Sequence, residues 1–225
     1  MRLRFDATKD FLNSLKNVDV LIKFAFKESN KNNENNRNLF LKLCLVLLVT
    51  RFQVFIEASL KEFDYKIKEV GKKNKRLPDY YRLNILKILT ARKPIHKSLE
   101  NPTTFTRSKL DSFSSQIEVI HSICKDETLI DDNFQMNTKF PLGKNGLNEL
   151  IDLYKQIEGK DIFENPPFDV NKINEILSRR HNIVHEDKNQ QLTEPVIESY
   201  KAFLKEVAIY IDGYLKTFTL KKYRP

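Results

Sequence analysis

The sequence predicts an all-α fold, an up-and-down bundle of about six to seven helices. Three observations carry that prediction. Apolar residues recur at spacings of three and four along most of the chain. No alternating stretch long enough for a buried strand occurs, and no internal repeat. Only five glycines are present in 225 residues, too few for turn-rich β architectures or for Gly-rich phosphate loops. The length suits one domain, 1–225, with a sizeable core.

Residues 3–27 place Phe11, Leu15, Val18 and Ile22 on one helical face. Asn30 to Asn36 (NKNNENN) has nothing to bury and reads as a loop. From Leu39 to about Val70 the pattern is apolar almost all round, then thins to Phe52, Phe55, Ile56, Ser59, Leu60 and Phe63. A long helix with its first half in the core is expected. Its most apolar run, Leu39 to Val49, contains Lys42 and is about 11 residues, short of the roughly 20 that span a bilayer. No membrane partner is therefore expected.

Pro78 opens PDYYRLNILKIL, a helix with proline near its first turn. Residues 91–106, broken by Pro94 and Pro102, read as a loop. Residues 107–124 form a helix with Leu110, Phe113, Ile117, Ile120 and Cys124 on one face. Residues 125–142 are polar and irregular. Leu147 to Ile157 is a short helix that Gly159 stops. Asp169 can cap the next helix. After a polar loop, EDKNQQ, Thr193-Glu194-Pro195 opens a last helix carrying Val196, Tyr200, Phe203, Val207, Tyr210, Tyr214 and Phe218.

The formal charge is +9 and the sequence pI about 9.4. Such an excess suits an anionic partner such as nucleic acid, and plain solubility explains it equally well. Two segments concentrate it. Residues 66–76 hold Lys66, Lys68, Lys72, Lys73, Lys75 and Arg76 against the single acid Glu69; the tail holds Lys216, Lys221, Lys222 and Arg224 with Phe218 and Tyr223 between them. Lys72, Lys73, Lys75, Arg76, Lys221 and Lys222 are candidate RNA-binding residues, and a solvated helix end is the plain alternative. Cys44 and Cys124 sit among apolar neighbours, which predicts buried free thiols and a reducing, cytoplasmic setting. The amino terminus, MRLRFDATKDFLNSL, lacks a signal-like apolar region.

The most informative stretch is SRRHNIVHE, Ser178 to Glu186. At 100° per residue, Ile173, Ile176, Leu177, Ile183 and Val184 form one apolar stripe, and Arg180 falls about 20° from its centre line. A guanidinium there is costly unless it finds partners or points into a wet seam between subunits. Arg179 lies on a flank, where solvent accounts for it.

Three explanations compete for His181 and His185, four residues apart. They could hold a metal, but the glutamate of an HExxH motif is replaced by Asn182 and no third ligand is evident. They could simply end a helix, where histidine suits the dipole. They could move protons in RNA cleavage, since histidine ordinarily titrates near 6.5, arginine steadies charge on a phosphate, and RNA carries its own 2′-hydroxyl nucleophile. No cofactor is required for that last chemistry. Arg180 and His185 lie about 140° apart around the axis and roughly 7.5 Å along it. One helix cannot aim both at one phosphate unless it ends or bends between them, whereas two copies facing across a two-fold can.

Arg180-His181-Asn182-Ile183-Val184-His185 is an R-x4-H element, and RRHNIVHED resembles the signature of HEPN-domain proteins, closest to the RiboL-PSP-type subgroup. The preceding INEIL, the amphipathic last helix with IDGYL, and RFQVFIEASLKEF (51–63) are similar too. The resemblance covers 38–217, leaving an N-terminal helical segment, 1–35, outside it. It implies a helical bundle, dimerisation through the motif face, and metal-independent endoribonuclease activity at a composite site, as in bacterial toxin or anti-phage systems. An antitoxin or partner defence protein would then control it. Arg180 and His185 take the motif positions, with Arg179 offering an R-x5-H frame and His181 or Asn182 assisting. A non-catalytic HEPN-like module that binds RNA or protein and dimerises through the motif face is the alternative.

Overall fold

The computed structural model describes residues 5–68, 79–92, 107–125, 127, 136–142, 146–185 and 192–221. Among them are eight helices and no strand: α1 (Asp6–Ala25), α2 (Glu28–Lys31), α3 (Glu34–Lys68), α4 (Asp79–Arg92), α5 (Arg107–Cys124), α6 (Gly146–Glu158), α7 (Asn171–His185) and α8 (Glu194–Lys221). The all-α expectation holds. The count exceeds six to seven because the Asn-rich patch forms a helical turn and a helix start rather than a loop. Asn33 Oδ1 accepts from the Asn36 amide at 3.1 Å and caps α3, while Asn30 Nδ2 donates to Phe24 O at 2.8 Å and closes α1. Short polar side chains serve there as caps.

The chain divides into two compact units, one of Met1–Phe63, Thr138–Leu153 and Asp161–Thr217, the other of Asp64–Asn137, Tyr154–Lys160 and Phe218–Pro225. In the first, α1 runs antiparallel to α3. Phe11 meets Phe52 and Phe55 at 6.0 and 5.3 Å, and Phe24 stacks on Phe40 at 6.2 Å, so rising numbers on one helix face falling numbers on the other. Phe11, Leu15, Val18 and Ile22 are all buried, as their spacing predicts, and so are Phe52, Phe55, Ile56, Ser59, Leu60 and Phe63. Each large apolar side chain taken fully out of water contributes about 2 kcal/mol.

No side chain at the start of α1 caps it. Carboxylates from distant helices do so instead. Asp212 Oδ1 of α8 accepts from the Phe5 amide at 3.1 Å, and Glu62 Oε2 of α3 accepts from the Ala7 amide at 3.0 Å. Both negative charges meet the positive end of the α1 dipole. Midway along α1, Lys201 of α8 donates to Asp19 and, at 2.8 Å, to Glu198. Burial alone would lower the Lys201 pKa, but the two carboxylates outweigh it and raise the value.

Two consecutive turns of α3 hold the chain before α6. Gln53 Nε2 donates to Phe140 O at 2.7 Å, and Glu57 Oε1 accepts from the Phe140 amide at 3.2 Å, so both backbone polar groups of this residue are satisfied while its ring is buried. At the start of α6 a Cβ on Gly146 would lie 2.1 Å from Leu177 Cδ1, so the missing side chain lets α7 approach.

In the second unit Arg82 caps the end of α5. Its Nε and Nη2 donate to Ile123 O at 3.1 and 2.9 Å, and Nη2 reaches Cys124 O at 2.6 Å. This anchoring buries Ile123 and leaves Ile117 and Cys124 exposed, so the face of α5 predicted from Ile117, Ile120 and Cys124 is rotated by about one residue. Gln156 pairs with both the amide and the carbonyl of Asn137, at 2.9 and 3.0 Å. Gly159, at φ 77°, ends α6 where the sequence places its stop.

Both cysteines are free, but only Cys44 is buried; Cys124, expected inside, is exposed. The long helix also revises the bilayer argument: Glu34–Lys66 is long and apolar enough to cross a membrane by length and composition, and 44% of its most apolar window is buried.

Burial pushes the Cys44 thiol up to about 11. Ellman's reagent at pH 8 should therefore titrate one thiol in the native protein and both after denaturation, with Cys124→Ser abolishing the native reaction. Replacing Asp212 by alanine removes the carboxylate that accepts from the Phe5 amide and should lower stability by about 2 kcal/mol in urea unfolding, whereas Asp212→Asn, which keeps an oxygen there, should cost less.

Candidate functional site

Asp169 Oδ1 accepts from the Asn171 amide at 3.0 Å, and α7 then runs without interruption from Asn171 to His185. The Asp169 cap matches the sequence expectation. Ile173, Ile176 and Leu177 are buried. Asn174 Oδ1 accepts from the Leu147 amide at 3.1 Å, which ties α7 to the first turn of α6. The apolar stripe continues in sequence to Ile183 and Val184, but there the single chain stops covering it: Ile183 is half-buried and Val184 exposed.

One flank of α7 is held by α8. Tyr200 OH donates to Glu175 Oε1 in a short contact, Arg179 Nε pairs with the same carboxylate at 3.3 Å, and the Arg179 guanidinium lies over the Tyr200 ring at 5.8 Å. Burial first, then the bond to Glu175, raises the Tyr200 pKa, so the phenol stays a donor. Lys172 Nζ adds contacts over Tyr200 and Phe203, at 5.9 and 5.3 Å, and donates to Ser199 Oγ at 2.8 Å. Arg179 is therefore engaged inside its own chain.

Arg180 is in the opposite state. It is half-buried, its Nε is shielded from solvent, and among the described residues it makes no hydrogen bond or ion pair. One turn on, the His181 and His185 rings lie 4.7 Å apart at 43° to one another. Asn182 is half-buried beside them, and His185 is exposed. The structure thus brings His181 and His185 together and draws Arg179 away from the motif to α8. Because α7 neither ends nor breaks between Arg180 and His185, the two project from one continuous helix in different directions.

Among the described residues no group of three or more His, Cys, Asp and Glu could hold a metal ion; the histidine pair supplies two nitrogens. Lys72, Lys73, Lys75, Arg76 and Lys222 lie outside the described residues, as do Glu186 and the Lys221 side chain. Glu175 and Tyr200 were not singled out in the sequence as part of this region. The Glu175–Arg179 spacing of four was a visible signal for the ion pair; nothing in the sequence pointed to Tyr200.

A family model described as RiboL-PSP-HEPN matches residues 9–217. The chain belongs to the RiboL-PSP-HEPN family. No curated protein and no solved structure matches it. The family match begins inside α1, so it is wider than the stretch 38–217 over which the motif and its flanks are recognisable. HEPN proteins are all-α, are often ribonucleases, and commonly bind RNA and dimerise; this RiboL-PSP-HEPN chain is a nuclease-like or RNA-related module on that ground.

An unpartnered, shielded guanidinium nitrogen lowers the stability of an isolated chain. Arg180→Met keeps the apolar stem and removes that nitrogen, so the isolated chain should be as stable or more stable, by up to about 1 kcal/mol in urea unfolding. A clear loss would mean that Arg180 has partners within its own chain.

Proposed function

We propose that the chain is a metal-independent endoribonuclease that acts as a homodimer, with a composite R-x4-H site built from the α7 motifs of two copies. The observation that carries this reading is Arg180, stranded with a shielded and unpartnered Nε on an unbroken helix that also carries His181 and His185. One α7 cannot converge Arg180 and His185 on a phosphate, and a two-fold partner removes that obstacle by supplying the missing half. The half-buried Ile183 and exposed Val184 at the same end of α7 suit such a contact.

In the proposed reaction His185 takes the proton of a ribose 2′-hydroxyl, whose oxygen attacks the adjacent phosphorus. The bond to the 5′-oxygen breaks, and the leaving oxygen takes a proton from water. The products are a 2′,3′-cyclic phosphate and a free 5′-hydroxyl. Arg180 steadies the charge that gathers on the pentacoordinate phosphorus, while His181 or Asn182 orients the phosphate. The basic segments with Lys72, Lys73, Lys75 and Arg76, and with Lys221 and Lys222, serve as RNA tracks. The free thiols fit a cytoplasmic setting, and a role in a toxin or anti-phage system, under an antitoxin or partner defence protein, completes the proposal.

The test is cleavage of mixed single-stranded RNA with and without EDTA. EDTA-resistant cleavage should be lost in both Arg180→Ala and His185→Ala. Co-refolding the two inactive variants should restore about a quarter of the wild-type activity, because half the dimers are mixed and each of these has one intact pair. No restoration would sink the shared site, and loss of cleavage in EDTA would point to a metal. RNA retained without cleavage would leave a binding and dimerisation module.

A further inference from the structure

We propose that the outer face of α3 is a docking seam for an acidic amphipathic helix of a partner protein. At 100° per residue, Leu39, Leu43, Val46, Thr50 and Val54 fall within an arc of about 80°, with Leu47 at its edge, on the side of α3 opposite Leu41, Leu45, Leu48 and Phe52 of the core. Leu39, Leu43 and Val54 are 55%, 44% and 53% exposed. Thr50 does not make the seam polar, because its hydroxyl donates to Val46 O at 2.8 Å and is satisfied along its own helix.

The form of this surface selects its occupant. Spacings of four, three, four and four make a stripe one side chain wide and roughly 22 Å long, the geometry into which a second helix sets its knobs. At its amino-terminal end the stack of Phe24 on Phe40 widens the apolar surface toward α1. Charge then decides among helices. Between residues 38 and 56 the only charged side chains are Lys42 and Arg51, one on each flank. Among the described residues neither forms an ion pair. Glu57, one turn beyond Val54, turns one carboxylate oxygen to the Phe140 amide and so marks where the chain before α6 closes the seam. A second copy laid on this face would set one basic rim against another, whereas a helix with apolar a and d positions and acidic flanks meets both the stripe and the rim.

The proposal does not depend on nuclease activity and is tested without it. The probe is a fluorescein-labelled peptide of about three heptads with Leu at a and d and Glu at e and g, beside a twin with Lys at e and g. Fluorescence anisotropy with the full chain should show the Glu peptide binding at least about tenfold more tightly than the Lys peptide. Leu43→Glu/Val54→Glu should abolish binding, and Lys42→Glu/Arg51→Glu, which leaves the apolar stripe intact, should reverse the preference. Circular dichroism confirms that each variant keeps its helices. Equal binding of the two peptides, or binding unaffected by the seam variants, overturns the proposal. A solution mass that halves in Leu43→Glu/Val54→Glu would overturn it in favour of a second copy. Capture by phosphatidylserine vesicles, lost in that variant and without peptide binding, would overturn it in favour of a membrane surface.

Discussion

The amino end of α1 has donors that no neighbouring side chain satisfies, and two carboxylates from far along the chain supply the acceptors. Asp212 and Glu62 bind the Phe5 and Ala7 amides, so the start of α1 is tied to both α3 and α8. Lys201 joins α8 to α1 again at Asp19. The consequence reaches the motif, because the same α8 carries Tyr200, which holds Glu175 and, through it, Arg179. Arg179 is committed to that flank, while the shielded Nε of Arg180 has no hydrogen-bond partner among the described residues. Long-range capping, helix placement and the exposed motif are one sequence of constraints.

Much of the helical plan was legible because burial writes a period into the sequence. Phe11, Leu15, Val18 and Ile22 fall on the face that the structure buries, and α5 spans the residues its spacing predicts. What periodicity lacks is a rotation origin. Ile117 and Cys124 fit a helical face as well as Ile123 does, and the Arg82 fork on the α5 carbonyls goes with Ile123 being inside. The Asn-rich patch misled for another reason: asparagine is scarce inside helices and common at their ends, so a run of it marks caps as readily as a loop. At the candidate site, the misplacement of Arg180 followed from angle alone. The engagement of Arg179 did not, because Tyr200 lies 25 residues beyond Glu175 and meets it only in the folded chain.

Arg180 also carries a cost that its own helix does not repay. A guanidinium nitrogen kept from water without a partner is unfavourable, and folding alone gives no reason to keep it. Arg179 shows the ordinary solution one residue earlier, with a carboxylate and an aromatic face within reach. The contrast between neighbours on one helix separates a guanidinium satisfied by the fold from one whose Nε has no partner among the described residues.

The same reasoning applies to α3, where the unsatisfied quantity is apolar area rather than a hydrogen bond. A helix apolar on all sides is expected either inside a protein or inside a bilayer. In α3 the two apolar faces are separated by half a turn, and each has a different environment. One face carries Phe52, Phe55 and Ile56 into contact with the fold; the other carries Leu39, Leu43 and Val54 into solvent between Lys42 and Arg51. Composition adds the two faces together and so suggests a membrane span. Geometry keeps them apart. A helix that is core on one side and an exposed apolar stripe between two cations on the other can serve both as a scaffold element and as a surface.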